Sequence, residues 1–453
     1  MTRALLLLPT LLLGCAPTIG SGEVKGSADS AAGVDGLSGD GAGGSDGTDG
    51  VDGSDGADGV DGSDGADGSD GADGATAPSP DTGVEGVTGP ATDSAALFDE
   101  SRIPEFYLTV SDAARGSLAR EPYEYVEATL TFEGVSYGPI GLRTKGENSW
   151  RPFNEKSSLK LDFNRYDGGP DRFFDLKGLT FQAMNEDYSM MHERVAYRIY
   201  RELGVPAVRA HHAVIYVNDE LYGLFTMIDS VDDEFLERSV VDPSGSMWEQ
   251  HDGEFTDEYI NLPSPSRPIE GFFHEEGVDD RTKLQALADA LEGADKVSAA
   301  SAHLDWGSFQ RYWAGNALAR NFDAYPGRFA GDDCHVYLDP TQDRLIYIPH
   351  GVDESFYYDT DFLNLGGLLA TVCAADPTCR AEFTEVTYAG VDTIEALDIA
   401  AWSREIQAQI QPWVEADPGR RYSVREVAAY QASMIDLIDN TRPYVAAVLG
   451  PRP

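Results

Sequence analysis

The sequence predicts an α+β protein of two lobes, the first rich in sheet and the second mainly helical. Three observations predict this. Short runs of alternating polarity, separated by turn residues, crowd positions 105–165 and 212–227. Apolar stripes at helical spacing dominate the chain after 281. Ahead of both, residues 16–95 are built from Gly, Asp, Ser and Ala and hold almost nothing to bury.

The elements follow in order. Residues 106–110 are β-rich, 125–132 alternate at period two, and a Glu133-Gly134 turn leads into the next run. Residues 158–163 alternate again. One prominent helix is predicted over 188–203, where Met191, Val195, Ile199 and Leu203 form an apolar stripe and Gly204 and Pro206 stop it. Runs at 212–217 and 222–227, joined through Asn218-Asp219, complete a small sheet. Helices are predicted at 281–293, 305–321, 396–415 and 421–449, with a hairpin of 335–338 and 345–348 among them. Such a pair of lobes leaves a cleft, a common place for a ligand.

The chain has 453 residues and a formal charge of -45, from 78 acidic and 33 basic residues. That surface repels nucleic acid. Residues 4–15 form a short apolar run after Arg3, too short to span a bilayer and suited to an export signal. Leu12-Leu13-Gly14-Cys15 is similar to the bacterial lipobox, which implies cleavage before Cys15 and its lipidation. Residues 1–15 then form the signal, 16–95 an extended acidic tether, and 96–453 the folded domain. The expected location is a bacterial membrane, periplasmic side or cell surface, held by the lipid anchor only. Cys373 and Cys379 bracket five residues and would close a small disulfide in an oxidising compartment; Cys334 is left as a buried thiol.

Four features bear on chemistry. Arg143-Thr144-Lys145-Gly146-Glu147-Asn148-Ser149 is a polar turn whose N–H groups, with Lys145, suit phosphates; alone it reads as an ordinary hairpin loop. Lys160 sits mid-strand and Glu193 flanks the helix stripe, the arrangement by which kinases fix a phosphate-gripping lysine, although spacing alone also fits a solvent-facing Lys. Asp323 follows the helix ending at 321. Asp353 follows the hairpin in Pro349-His350-Gly351-Val352-Asp353. Two acids flanking a strand–turn–strand unit are the kinase order of catalytic base, then metal ligand.

The ordered set resembles the CotH kinase family. The turn around Lys145 is similar to its R-x-K-G-N-S-S. Lys156-Ser157-Ser158-Leu159-Lys160, Asp187-Tyr188-Ser189-Met190-Met191-His192-Glu193, Tyr216-Val217-Asn218-Asp219-Glu220-Leu221-Tyr222-Gly223 and Asp229-Ser230-Val231-Asp232 follow in the family's order. Asn321-Phe322-Asp323 and Ile348-Pro349-His350-Gly351-Val352-Asp353 complete it. The resemblance implies a protein-kinase-like fold and transfer from ATP, with Mg²⁺ or Mn²⁺, to Ser or Thr of a protein substrate at the cell surface. It assigns Lys145 and Asn148 to the phosphates, Lys160 with Glu193 as the gripping pair, and Asp229 to the nucleoside. Asp323 becomes the base, Asp353 a metal ligand, and Asp333 a second one. The family commonly carries P-W-D-x-D where this chain has His350 and Gly351, so a kinase-shaped binding or assembly protein without turnover is the alternative. A carboxylate-based glycan hydrolase fits the order of elements less well.

Overall fold

The computed structural model describes residues 93–146, 149–250, 271–327, 333–364 and 366–452, all within one compact unit. The signal, Cys15, nearly all of the tether, and Asn148 lie outside the described residues. No described helix is long and apolar enough to cross a membrane.

The first lobe is a closed barrel, where the sequence predicted a small sheet. Its strands are β1 (Glu105–Thr109), β2 (Val126–Phe132), β3 (Val135–Lys145), β4 (Ser158–Asp162), β5 (Gly178–Gln182), β6 (Ala210–Val217) and β7 (Glu220–Asp229), in the order β1-β2-β3-β4-β5-β7-β6. Closure comes from β1 lying parallel to β6, with Phe106 beside Ile215. The interior is filled by alternate side chains, among them Phe106, Leu130, Phe132, Leu142, Leu161, Leu179, Phe181 and Phe225. Closing the sheet removes its unpaired edges. Helix α1 (Asp112–Leu118) covers one end and begins on Ser111, whose Oγ accepts from Ala114 N–H.

Helix α2 (His192–Glu202) joins this barrel to the rest. Eight of its residues are buried, including Val195 and Ile199 of the expected stripe. The helices of the second lobe are α3 (Asp233–Ser239), α4 (Thr282–Ala290), α5 (Lys296–Ala300), α6 (Trp306–Ala319), α7 (Leu368–Ala375), α8 (Pro377–Ala396), α9 (Ile399–Ala416), α10 (Val424–Asp439) and α11 (Thr441–Leu449). The expected helix 421–449 is two helices, parted at Asn440; Pro443 fits only the first turn of a new helix. The expected hairpin, β10 (Cys334–Asp339) and β11 (Arg344–Pro349), belongs to a four-stranded sheet with β8 (Met247–Gln250) and β9 (Phe272–Glu276), ordered β11-β10-β8-β9. Helix α8 was not among the expected helices. Its start was signalled by Asp376, whose carboxylate accepts from Thr378 and Cys379 N–H, and by Pro377 at the first helical position.

Buried imidazoles make the fold acid-sensitive. His211 donates to Arg102 O (2.8 Å) and His212 to Met190 O (2.7 Å), and both are almost fully buried. Burial pulls the His211 pKa down to about 4, and pulls those of His212 and His335 below the usual imidazole value as well. A depressed histidine stabilises the fold above its unfolded pKa, near 6.5, and that contribution is lost as pH falls through the folded value. Thermal stability is therefore expected to drop between pH 6.5 and 4. His211 alone contributes roughly 3 kcal/mol of that loss, and unfolding of His211→Asn across the range should be correspondingly flatter.

Candidate active site

Strand alternation sets which side chains face α2. Arg143 pairs with Lys160, Lys145 with Ser158, and Lys160 with Thr180. Opposed residues share a face, and the intervening Leu142, Leu159 and Leu161 fill the barrel. Lys145 and Lys160 therefore project together from the outer face. Gln182, two residues beyond Thr180 on that face, hydrogen-bonds Glu193 of α2.

Glu193 is 1% exposed, and its Oε2 has no hydrogen-bond partner. Burial, reinforced by the charges of Asp353 and Asp187, pushes its carboxyl well above the usual range, and Lys145 opposes the shift. Lys145 is thus a cation that acts on Glu193. Lys160 lies two residues along from Ser158 on the same face. Both lysines act on His350 at the end of β11, where burial and then His335 also hold the imidazole neutral.

The acids come from the second lobe. Helix α6 ends on Arg320, in the left-handed region at φ 51°. The Arg320 guanidinium is buried and bonded to Leu318 O, Leu437 O and Thr441 Oγ1. The chain then turns at Asn321, whose Oδ1 accepts from Asp323 N–H at 3.2 Å. Asp333 precedes β10, and its carbonyl accepts from His350 N–H at 3.1 Å. Burial raises the Asp323 pKa, and the neighbouring Asp333 opposes the shift.

Asp353 sits in a 3-10 turn, Val352–Glu354. Burial raises its pKa. Its own N–H and Lys145 oppose that, and Asp187 and Asp323 add to it. Glu354 is pushed up to about 8 by burial and by Asp353 and Asp323. Tyr197, buried in α2, feels Glu193, Asp353 and Asp333 together. Asp323, Asp333, Asp353 and Glu193 thus crowd one region, with Lys145 and Lys160 on its barrel side.

Gly351 stands where the family commonly carries an acid, and it leaves no room for one. It adopts φ 54°, and a Cβ built there would overlap Asp333 Oδ1. The Asp333 carboxylate occupies the space that a side chain at 351 would need. Gly351→Asp is expected to lower stability by roughly 1–3 kcal/mol, through backbone strain and collision with Asp333. Urea unfolding checks this, and an unchanged midpoint would contradict the overlap.

Asp229 does not join the site. It pairs with Leu179 across β5 and β7, so it points to the opposite face from Lys160 and Thr180. Its carboxylate accepts from Arg209 Nε (2.7 Å) and Nη2 (2.8 Å) and from Arg238 at 3.2 Å. Asp229, expected at the nucleoside, is engaged here by these two arginines. Cys373 and Cys379 form a disulfide, and Cys334 is a buried free thiol.

The sequence reading gave no role to Asp187 or His192. Asp187 is fully buried. Its Oδ1 accepts from Ser189 N–H and Oγ–H, and its Oδ2 accepts from His192 N–H at 2.6 Å. An Asp-x-Ser just before a helical stripe is a readable start signal, but its closeness to Asp353 is not.

Lys145 of the barrel and acids of the helical part act on one another here, and the family match makes the class kinase-like. The chain belongs to the CotH kinase family, whose model, described as CotH kinase protein, matches residues 142–442. Invasin CotH7 of the fungus Rhizopus delemar is 22% identical over 325 residues, covering 65% of this chain and 52% of that protein. Invasin CotH3 of the same fungus is 24% identical over 147 residues, covering 30% of this chain and 23% of that one. The chain therefore spans about half the length of the first relative and less of the second.

Two solved structures align at a TM-score of 0.29. They are the Helicobacter pylori proinflammatory kinase CtkA (10% identity; 68% of this chain, 94% of that one) and a chain of the Shewanella oneidensis HipA–HipB–operator DNA complex (12%; 76% and 82%). At that score the assignment rests on the family match alone.

Proposed function

We propose that this chain is an exported, lipid-anchored protein kinase of the CotH type, using ATP and Mg²⁺ to phosphorylate Ser or Thr hydroxyls of surface or secreted proteins. The observation that carries the reading is the placement of Asp323 beside Asp333 and Asp353, across from Lys145 and Lys160. In this reading Asp323 orients the acceptor hydroxyl and takes its proton as the oxygen attacks. Lys145 and Lys160 bind the phosphates, and Glu193 fixes the lysine pair. The chemistry of the donors suits a divalent cation: the carboxyls of Asp333 and Asp353 are oxygen ligands, and Glu193 leaves a buried oxygen without a partner. Asp333 and Asp353 would hold it, and bound Mg²⁺ would neutralise charge on the triphosphate.

The apolar run ending at Cys15 and the disulfide Cys373–Cys379 support export. The acidic stretch 16–95 supports a tether from membrane to domain. Purified domain incubated with labelled ATP and Mg²⁺ should transfer label to protein, and ATP with Mg²⁺ should raise its melting temperature. A second reading, a kinase-shaped surface protein without turnover, draws on Gly351. Nucleotide-dependent stabilisation with no transfer to any protein would favour it.

A further inference from the structure

We infer that His192, held by Asp187, is a positioning residue that sets the direction of the Asp353 carboxylate; the inference rests on the metal-binding role proposed above for Asp353. His192 Nδ1 lies 2.8 Å from Asp353 O and 3.3 Å from Asp187 Oδ1. Both neighbours are acceptors, so Nδ1 carries the hydrogen and shares it between them. The imidazole is 2% exposed and is packed against Tyr357 edge-on (ring centroids 5.0 Å) and against Phe356 at 6.0 Å. It has little room to turn.

Asp353 needs such an anchor. It lies in a short 3-10 turn that begins from Gly351 in a left-handed conformation, just after β11 has ended at Pro349. No sheet bond fixes the carbonyl of Asp353; His192 binds it instead. That bond fixes the peptide plane after Asp353, and with it the direction of the Cα–Cβ bond.

Asp187 completes the device. The same carboxylate that steadies the imidazole accepts the N–H of His192, the first residue of α2. One side chain therefore sets both the start of α2, which carries Glu193, and the ring that anchors Asp353. The imidazole is one of the contacts that tie α2 to the turn carrying Asp353.

Outer-shell partners of this kind typically change metal affinity by roughly 10–100-fold when removed. The test measures Mn²⁺ binding to the purified protein, without nucleotide, by the loss of free-ion electron paramagnetic resonance signal. It compares wild type, His192→Ala, His192→Asn and Asp353→Asn, with melting temperatures recorded for each. His192→Ala should weaken binding by roughly 10-fold or more. His192→Asn, whose amide nitrogen falls near the position of Nδ1, should restore most of it at an unchanged melting temperature.

Unchanged affinity in His192→Ala, with binding lost in Asp353→Asn, would overturn the positioning role and leave the metal site standing. Equal loss in His192→Ala and His192→Asn would also overturn it, because the donated hydrogen would then not matter. No binding in wild type would overturn the metal-site reading itself, and this inference with it.

Discussion

Asp323→Asn is expected to reduce phosphoryl transfer by roughly 10²–10⁴-fold, the range for loss of a positioned general base. Asn keeps the size of the side chain and can still orient a hydroxyl, but it cannot take its proton. The substitution also removes one partner of the Asp323–Asp333 contact. Asp333 and Asp353 remain, so binding of ATP with Mg²⁺ should survive within a few-fold. Initial rates of label transfer, set beside the nucleotide-induced rise in melting temperature, separate the two effects. Transfer at the wild-type rate would remove Asp323 from the chemistry. Loss of both transfer and nucleotide binding would make it a ligand of the metal or nucleotide instead of the base.

The largest effect on stability should come from Asp417→Ala, at about 3–5 kcal/mol. Asp417 and Lys156 form an ion pair of 2.6 Å with side chains 0% and 2% exposed. Asp417 also accepts from Leu224 N–H (3.0 Å) and Gly419 N–H (2.8 Å), and the ammonium stands 5.0 Å from the Phe225 ring. Removing the acid leaves a buried ammonium with its main counter-charge gone. Burial already lowers the Lys156 pKa, and Asp417 is what opposes that.

Lys156→Met should cost less, because Asp417 keeps its two backbone donors. The double change Lys156→Met with Asp417→Leu should recover part of the loss, as a buried pair replaced by apolar groups often does. Gly223 is required here: a Cβ would lie 2.8 Å from Asp417 Oδ1 and from Lys156 Cε. Urea midpoints of the single and double variants give the coupling. A loss below about 1 kcal/mol for Asp417→Ala would mean that water reaches the pair. The pair ties the residue two before β4, the strand of Lys160, to the end of α9, so loosening it should also weaken nucleotide binding.

The local elements that carry the candidate residues were legible because strands and helices print their periods on the sequence. The alternation around Lys160 placed it opposite the buried face, and the stripe of α2 left Glu193 on its flank. The hairpin of β10 and β11 brought Asp353 behind Asp323 in chain order. Asp229 misled because motif order carries no parity: its pairing with Leu179, and its two arginine partners, exist only once β5 and β7 are side by side. The closed barrel was hidden for a similar reason. Its closing contact joins β1 to β6, about a hundred residues apart in sequence and with nothing in either strand to announce the other.

The sequence by itself determined the family, the order of lysines and acids, and the local elements that carry them, because each depends on neighbours within a few residues. Tertiary structure alone decided the partners. It gave Asp333 the space that Gly351 leaves, bound Asp229 to Arg209, and put His192 under Asp353. These outcomes depend on how closed layers pack, and packing brings together atoms whose separation along the chain leaves no periodic trace.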